Sequence, residues 1–347
     1  DRGSTHGSSN GNFAVSPISC IIGRQYRVTY TQSSAVNCSP IVRIGLGSNN
    51  PWSNLHSTGT TGTHSFNFVA TQTTHYFYLG QYSTAINSTI DYDNVSVQLL
   101  ESDHSVNANG LQTFGTVTKT AVATGADLVA YGGFTTSNYL LQPYNAALNF
   151  TNEFSISFWV KNWSAGQDLL HRGPGGTRNS KTSFHLYNDG GYDYRLTLTS
   201  NGSTEQTFEI PLSGNLWEWN NVCFTLTPGG AVRGYLNGRL GFTGAFTGTN
   251  IFTQATDQNG LYIGDGPVSA AFGGSLALLR LSATAPSAEQ IKKMYNDEKF
   301  LFQENAKCTL YGTSDAVTAL AHDDDTELLH VGTSAGRSVF QGLNRVD

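Results

Sequence analysis

Residues 215–242, NLWEWNNVCFTLTPGGAVRGYLNGRLGF, decide the fold. Val222, Phe224 and Leu226 alternate with Cys223, Thr225 and Thr227, the period-two pattern of a strand with one face on a core. Pro228-Gly229-Gly230 then reverses the chain, and residues 231–236 form a second strand. Asn237-Gly238 tolerates two successive positive φ angles and so closes a two-residue hairpin. The stretch is predicted to fold as three antiparallel strands.

Working outward, FSISFWV (154–160) alternates in the same way, and GSLALLRL (274–281) reads as another strand. Ser287 with Gln290 three residues on forms a capping box, and Ile291, Met294, Tyr295 and Leu301 or Phe302 recur at helical spacing. One long helix near 287–302 therefore covers a sandwich. Further strands are expected near 168–171, 183–187, 194–199, 207–210 and 261–264.

The order of these three landmarks, the strand 154–160, the meander with its Tyr235-Leu236-Asn237-Gly238 tip, and the strand-helix end, resembles the laminin-G-like, or concanavalin A-like, jelly-roll family over about 127–302. That fold hosts both lectins and glycosidases. The beta-glucanases on it carry a Glu-x-Asp-x-Glu type strand, and the nearest match is Glu205-Gln206-Thr207-Phe208-Glu209. Thr207 lacks the charge that would separate two glutamate pKa values, so the plain reading is two solvated glutamates on an outer strand. For a binding domain, the loops 163–182 and 189–194 offer Trp163, His171, Arg172, Arg178, Tyr192 and Asp193, aromatic faces and hydrogen-bonding ends of the kind a sugar needs.

Composition agrees with short strands and many turns: 38% hydrophobic, 13% charged and 38 glycines in 347 residues. The length suggests two to three domains. A net charge of -6 without Lys/Arg clusters excludes the basic footprint that nucleic acid requires. No apolar run is long enough for membrane insertion as a helix. Cys20, Cys38, Cys223 and Cys308 lack CxxC spacing, which argues against zinc; Cys223 reads as a buried apolar side chain, and the spacing permits a Cys20–Cys38 bridge without establishing its geometry. Asn-X-Ser/Thr sequons at Asn37, Asn87, Asn94, Asn149, Asn162 and Asn201 are expected by chance in a chain this rich in these residues. Asp1, without a leader before it, suggests a piece of a longer polypeptide.

Residues 1–102 read as a separate all-β sandwich, with strands at 13–22, 26–31, 41–46, 64–70, 75–79 and 91–100. The segment Ile22 through Val28, the strand with Phe66 and Phe68, and IDYDNVSV (90–97) resemble carbohydrate-binding modules with a galactose-binding-like jelly roll. That resemblance implies an opening strand which is missing here, so that Asp1 is an artificial start or the sandwich is incomplete. It also implies a structural Ca2+ held partly by Asp93, the alternative being an aspartate that bonds its own turn. Trp52, Tyr76, Tyr78 and Tyr82 are the aromatic candidates for stacking on sugar rings, although a strand such as 75–79 must bury one of its faces.

The polar stretch 101–111 marks a boundary, giving an expected organisation of 1–102, a connector 103–126 containing a strand at 113–120, a lectin-like domain 127–304, and a segment 305–347. That last segment, with strands near 316–321 and 327–333 continued by 334–340, resembles one blade of a β-propeller. Asp323-Asp324-Asp325 at its tip read as turn residues, with cation binding as the rarer use. A lone blade cannot bury both faces, so either blades follow Asp347 or several chains each contribute one, as in a homotrimer.

The fold class is thus all-β: two antiparallel jelly-roll sandwiches, a C-terminal β-hairpin segment and one helix. The module order resembles phage tail-fibre proteins. It implies a non-enzymatic virion or extracellular protein that recognises a cell-surface glycan for host attachment, as a homo-oligomer beside other virion proteins. A secreted beta-glucanase-type enzyme and a structural spacer are the alternatives.

Overall fold

The computed structural model describes residues 11–47, 55–56, 61–82, 89–101, 104, 110–174, 182–188, 193–200, 204–211, 215–248, 250–251, 259–264, 270–312 and 316–347. The chain divides into two compact units, Asp1–Thr113 and Phe114–Asp347. Both are built of antiparallel strands, and the one α-helix among the described residues lies in the second.

In the first unit the strands are β1 (Gly11–Ser19), β2 (Gln25–Val36), β3 (Ser39–Gly45), β4 (Leu55–His56), β5 (Gly62–Val69), β6 (Thr74–Tyr82) and β7 (Thr89–Glu101), with β8 (Leu111–Phe114) at the boundary. One sheet runs β1-β6-β3-β4, and the other places β2 between β5 and β7. Val28, Tyr30, Val42, Ile44, Phe68 and Phe77 fill the space between them. On β2 the burial alternates residue by residue from Gln25 to Gln32, as a strand with one dry face must. Each expected strand is present with its ends shifted by a few residues: β1 stops at Ser19 instead of residue 22, whereas β2 runs on to Val36. Cys20 and Cys38 are free thiols, so the bridge that their spacing allows does not form. The Cys38 thiol donates instead to the carbonyl of Thr89.

The second unit contains β9 (Thr118–Ala121), β10 (Val129–Gly132), β11 (Tyr139–Gln142), β12 (Phe154–Lys161), β13 (Gln167–Pro174), β14 (Phe184–Asn188), β15 (Asp193–Ser200), β16 (Thr204–Pro211), β17 (Asn220–Leu226), β18 (Ala231–Leu236), β19 (Arg239–Ala245), β20 (Asn259–Ile263) and β21 (Ser275–Ser282), followed by α1 (Ala288–Glu298) and a 3-10 turn, Lys299–Phe302. One sheet is ordered β19-β18-β17-β12-β21-β10-β9, and the facing one runs β16-β15-β14-β13-β20-β11. The strand expected at 113–120 is divided: Thr118–Ala121 pairs with β10 at the edge of the first of these sheets.

The meander forms as read. Asn237 and Gly238 take φ of 51° and 73°, and Leu236 pairs with Arg239 across the turn. Between the sheets, Phe154 of one packs on Phe184 of the other, ring centroids 5.9 Å apart, with Phe150 beside both. A Cβ on Gly234 would fall 2.4 Å from Ile210, so this glycine permits the close approach of the two layers.

Cys223 is buried, in line with its reading as a small apolar side chain. β17 is buried at all seven positions, on both faces. Phe224 faces the opposing sheet, whereas Cys223 packs with Tyr235 beneath Ile291 of α1. The helix therefore dries a face that alternation alone would leave in water. Its capping box is complete: Gln290 N–H donates to Ser287 Oγ at 3.3 Å and Ser287 N–H to Gln290 Oε1 at 2.8 Å.

The C-terminal strands β22 (Val317–Asp323), β23 (Leu328–Thr333), β24 (Gly336–Gln341) and β25 (Asn344–Arg345) make a four-stranded meander. It is tied to the preceding chain where Tyr311 N–H donates to Ser338 Oγ at 2.8 Å and Arg345 N–H to the Lys307 carbonyl at 2.7 Å.

Candidate carbohydrate site

The site is built on the outer face of β14, β15 and β16. Because side chains alternate along a strand, the residues that send Phe184, Leu186, Leu196, Leu198 and Phe208 inward must send His185, Tyr187, Thr197, Thr199 and Thr207 outward. Register then aligns them: Thr197 opposes His185 and Thr207, while Thr199 opposes Glu205. β-Branched threonine suits a strand, and on this face Thr207 is exposed while Thr197 and Thr199 are largely buried.

Together with Thr182, these residues line a pocket of about 180 Å3: Thr182, His185, Tyr187, Thr197, Thr199, Glu205 and Thr207. Its floor is rigid. His185 Nε2 and Asp168 Oδ1 are 2.9 Å apart, and both side chains are nearly withdrawn from solvent, at 6% and 3% exposure. The His185 ring lies flat against Tyr187, centroids 4.5 Å apart and planes within 2°. The guanidinium of Arg195 sits 6.0 Å from the Tyr187 ring centre. It donates from Nε and Nη2 to Asp193 Oδ2, at 3.1 and 3.0 Å, and meets Glu209 Oε1 at 3.1 Å. Burial pulls the Arg195 guanidinium down, but its bonds to Asp193 and Tyr187 and the charge of Glu209 outweigh this and hold it above the ordinary arginine value. Thr197 and Thr207 hydroxyls are linked at 2.9 Å. The result is a small cup with hydroxyls, an imidazole, a phenol and one carboxylate on its wall.

Next to the pocket on the same face, His171 of β13 pairs with His185 and stacks on Tyr262 of β20, 4.9 Å and 6°. Tyr262 in turn leans on Tyr139 of β11 at 5.9 Å. Burial pushes both tyrosine hydroxyls above their usual pKa, and Tyr262 adds to the rise at Tyr139.

The residues singled out in the sequence fall in different places. Asp193 reaches the rim through Arg195, and His171 lies on the same face but fully buried. Trp163 is no loop platform: it is fully buried, donates from Nε1 to the Gln167 carbonyl at 3.0 Å, and packs on Phe158, Tyr194 and Phe272. Arg172 is also withdrawn, because it lies on the inner face of β13 opposite Phe184. Its guanidinium donates to the Leu148 carbonyl, to Asn149 Oδ1 at 2.6 Å and to the Asn145 carbonyl at 3.3 Å, fastening a 3-10 turn, Ala146–Leu148; desolvation draws its pKa down to about 10. Arg178 and Tyr192 lie outside the described residues.

In the first unit, Tyr76 and Tyr78 share the outer face of β6 with Phe13 and Ile41. Tyr78 is buried there and donates to the Gly47 carbonyl, whereas Tyr76 keeps partial exposure. Trp52 and the side chain of Tyr82 lie outside the described residues. Asp93 is exposed and its Oδ1 accepts the Asn94 N–H at 2.7 Å, the turn-bonding use of an aspartate. Among the described residues no group of three or more His, Cys, Asp or Glu is arranged to hold a metal ion.

Glu205 and Glu209 point out from β16, four residues apart, which on a strand is about 13 Å. Glu209 is engaged by Arg195. His185, Tyr187, Thr197 and Thr199 were not anticipated as site residues. Their signal was the offset between polar and apolar positions within 184–199, visible only after the buried face is known.

Residues 134–292 match the family model of the concanavalin A-like lectin/glucanases superfamily. By sequence match this segment is similar to concanavalin A-like domains, and its paired antiparallel sheets have the build of a jelly-roll sandwich. No curated protein sequence matches the chain. Similar solved structures include the binding domain of Paraclostridial Mosquitocidal Protein 1 (12% identity, 69% of this chain and 60% of that one, TM-score 0.46) and the botulinum neurotoxin serotype G binding domain (10%, 69% and 61%, 0.45). Another is domain 4 of AbnA, a GH43 extracellular arabinanase from Geobacillus stearothermophilus, in complex with arabinotriose (19%, 52% and 82%, 0.39). The chain spans about three-fifths of the two toxin binding domains it matches.

Proposed function

We propose that this protein binds a cell-surface glycan without cleaving it, through the cup on β14–β16, and that it serves host attachment as an extracellular or virion fibre component. The observation that carries the reading is the cup itself. Sugar hydroxyls both donate and accept, and threonine hydroxyls, a histidine, a tyrosine and a carboxylate around one small volume answer them in kind. The flat His185–Tyr187 pair supplies a rigid wall beside them. A single shallow pocket binds weakly, so attachment gains from several copies acting together. The homo-oligomer, the trimer and the partnership with other virion proteins rest on the module order and on the blade-like C-terminal meander. The test is a glycan array and whole-cell binding with the intact protein, alongside its mass in solution. Binding abolished by substitutions in the cup supports the reading, and absence of binding by the intact oligomer across candidate glycans and hosts overturns it.

A second reading, a beta-glucanase-type hydrolase, is favoured by one observation: Glu205 lines the cup. The two-carboxylate mechanism needs its groups roughly 5–9.5 Å apart, and Glu209 stands beyond that. Turnover of a β-glucan that disappears in Glu205→Gln would establish this reading instead.

A further inference from the structure

We propose that the cup selects an uncharged sugar unit and rejects uronic and sialic acids; this rests on the glycan-binding reading and specifies its ligand class. The argument is one of charge. Among the described residues that line the cup, Glu205 carries a formal charge and none is a lysine or arginine. Arg195, beside the lining residue Tyr187, is shared between two carboxylates, Asp193 at 3.0 Å and Glu209 at 3.1 Å. One guanidinium against two carboxylates leaves the rim net negative. Behind the floor, Asp168 is held on His185, so that any positive charge the imidazole acquires is already matched. Arg172, the other arginine of these strands, faces the opposite side of the sheet and is occupied by Leu148, Asn145 and Asn149.

A ligand carboxylate entering this site would lose water and meet Glu205 as a like-charged neighbour, with Arg195 already paired to two carboxylates. A neutral pyranose meets the opposite situation. Its vicinal hydroxyls donate to the Glu205 carboxylate, a charge-assisted bond stronger than one between neutral groups. Its remaining oxygens meet first the hydroxyl of Thr207, the exposed one among the lining threonines, since Thr182, Thr197 and Thr199 are nearly buried. The carboxylate thus orients the sugar and excludes the acid in one step, the use of a repulsive element for specificity.

The experiment compares matched ligands on the intact protein: galacto-oligosaccharides against galacturono-oligosaccharides, and gluco- against glucurono-oligosaccharides, of equal length and linkage, with a sialylated lactose as a third arm. We expect at least one neutral ligand to bind and its uronate counterpart to bind about tenfold more weakly or worse. In Glu205→Gln, which changes an exposed side chain on an edge strand, the neutral ligand weakens and the ratio to the uronate collapses toward one. Equal or tighter binding of a uronate or sialylated ligand by the wild-type protein overturns the selectivity and leaves the glycan reading standing. A ratio that survives Glu205→Gln unchanged overturns the role of Glu205. Binding to none of these ligands overturns the glycan reading and the selectivity together.

Discussion

The indole Nε1 of Trp159, on the outer face of β12, donates to Glu298 Oε2 at 2.6 Å in the last turn of α1. The same carboxylate meets Arg280 Nη1 at 2.7 Å from its other oxygen. Tyr295 and Phe302 stack on the indole, at 5.6 and 4.2 Å between ring centres. Helix and sheet are thus joined by one buried polar bond inside an aromatic sandwich. Glu298→Ala leaves the indole N–H without its acceptor, and we expect a loss of about 2–3 kcal/mol in urea unfolding. Trp159→Ala is expected to cost about 3–5 kcal/mol. The double variant should lose less than the sum, since both changes remove the same contact.

Gly238 tests the hairpin that organises the sheet. Its φ of 73° lies in the left-handed region, and a Cβ there would sit 3.1 Å from Cβ of Tyr295. Gly238→Ala is therefore expected to destabilise by about 1–2 kcal/mol, visible as a lower midpoint in thermal or denaturant unfolding. A variant as stable as the parent would show that this turn is free to change its geometry.

Tyr187 tests the wall of the cup. Its loss removes the partner of the His185 ring, and stacking of this kind contributes about 0.5–1.5 kcal/mol. Tyr187→Ala should weaken glycan binding by up to about tenfold while the unfolding midpoint moves little. An unchanged affinity beside an unchanged fold would place the ligand elsewhere.

Asp127 predicts a pH effect at the root of the C-terminal meander. Burial raises the pKa of its carboxyl, but hydrogen bonds from the Thr309 hydroxyl (2.8 Å), Cys308 N–H (3.2 Å), Lys307 Nζ (3.2 Å) and Thr309 N–H (3.4 Å) prevail and hold it below the ordinary aspartate value. A folded pKa below the unfolded one means that the clasp stabilises fully above the unfolded value, near 4, and is lost as pH falls through the lowered one. Comparing Tm from pH 7 down to 3 should show a steeper fall for the parent than for Asp127→Asn. Parallel curves would contradict this assignment.

Cysteine reactivity separates the thiols. Cys223 is 1% exposed beneath the helix, and burial, with the charge of Glu298 adding to it, pushes its thiol up to about 12. It should resist alkylation at pH 8 until the protein unfolds, while Cys38, partly open to solvent, reacts in the native state. Mass mapping after a timed iodoacetamide pulse reads both sites. Fast modification of Cys223 in the native protein would mean that α1 opens readily.

The elements that were legible share one property: their causes lie within a few residues of one another. Alternation at 154–160 and 222–226, the Asn237-Gly238 turn and the Ser287/Gln290 capping box each state their geometry locally, and each is found. Outward-facing residues were harder. Trp163 and Arg172 have the chemistry of a sugar site, yet packing withdrew the first into a corner of the core and the second behind the sheet.

The sequence by itself determined that two sandwiches of antiparallel strands form, where their strands and turns fall, and that a capped helix follows the last strand. Tertiary structure decided which face of each strand is wet. A register shift between Asp168 and Leu170 inserts one extra residue opposite β14. On a strand of period two, that single residue exchanges the faces: it turns Arg172 inward toward Phe184 and sets His171 beside His185. Side-chain direction at the site depends on such an offset between distant strands, and no local pattern records it.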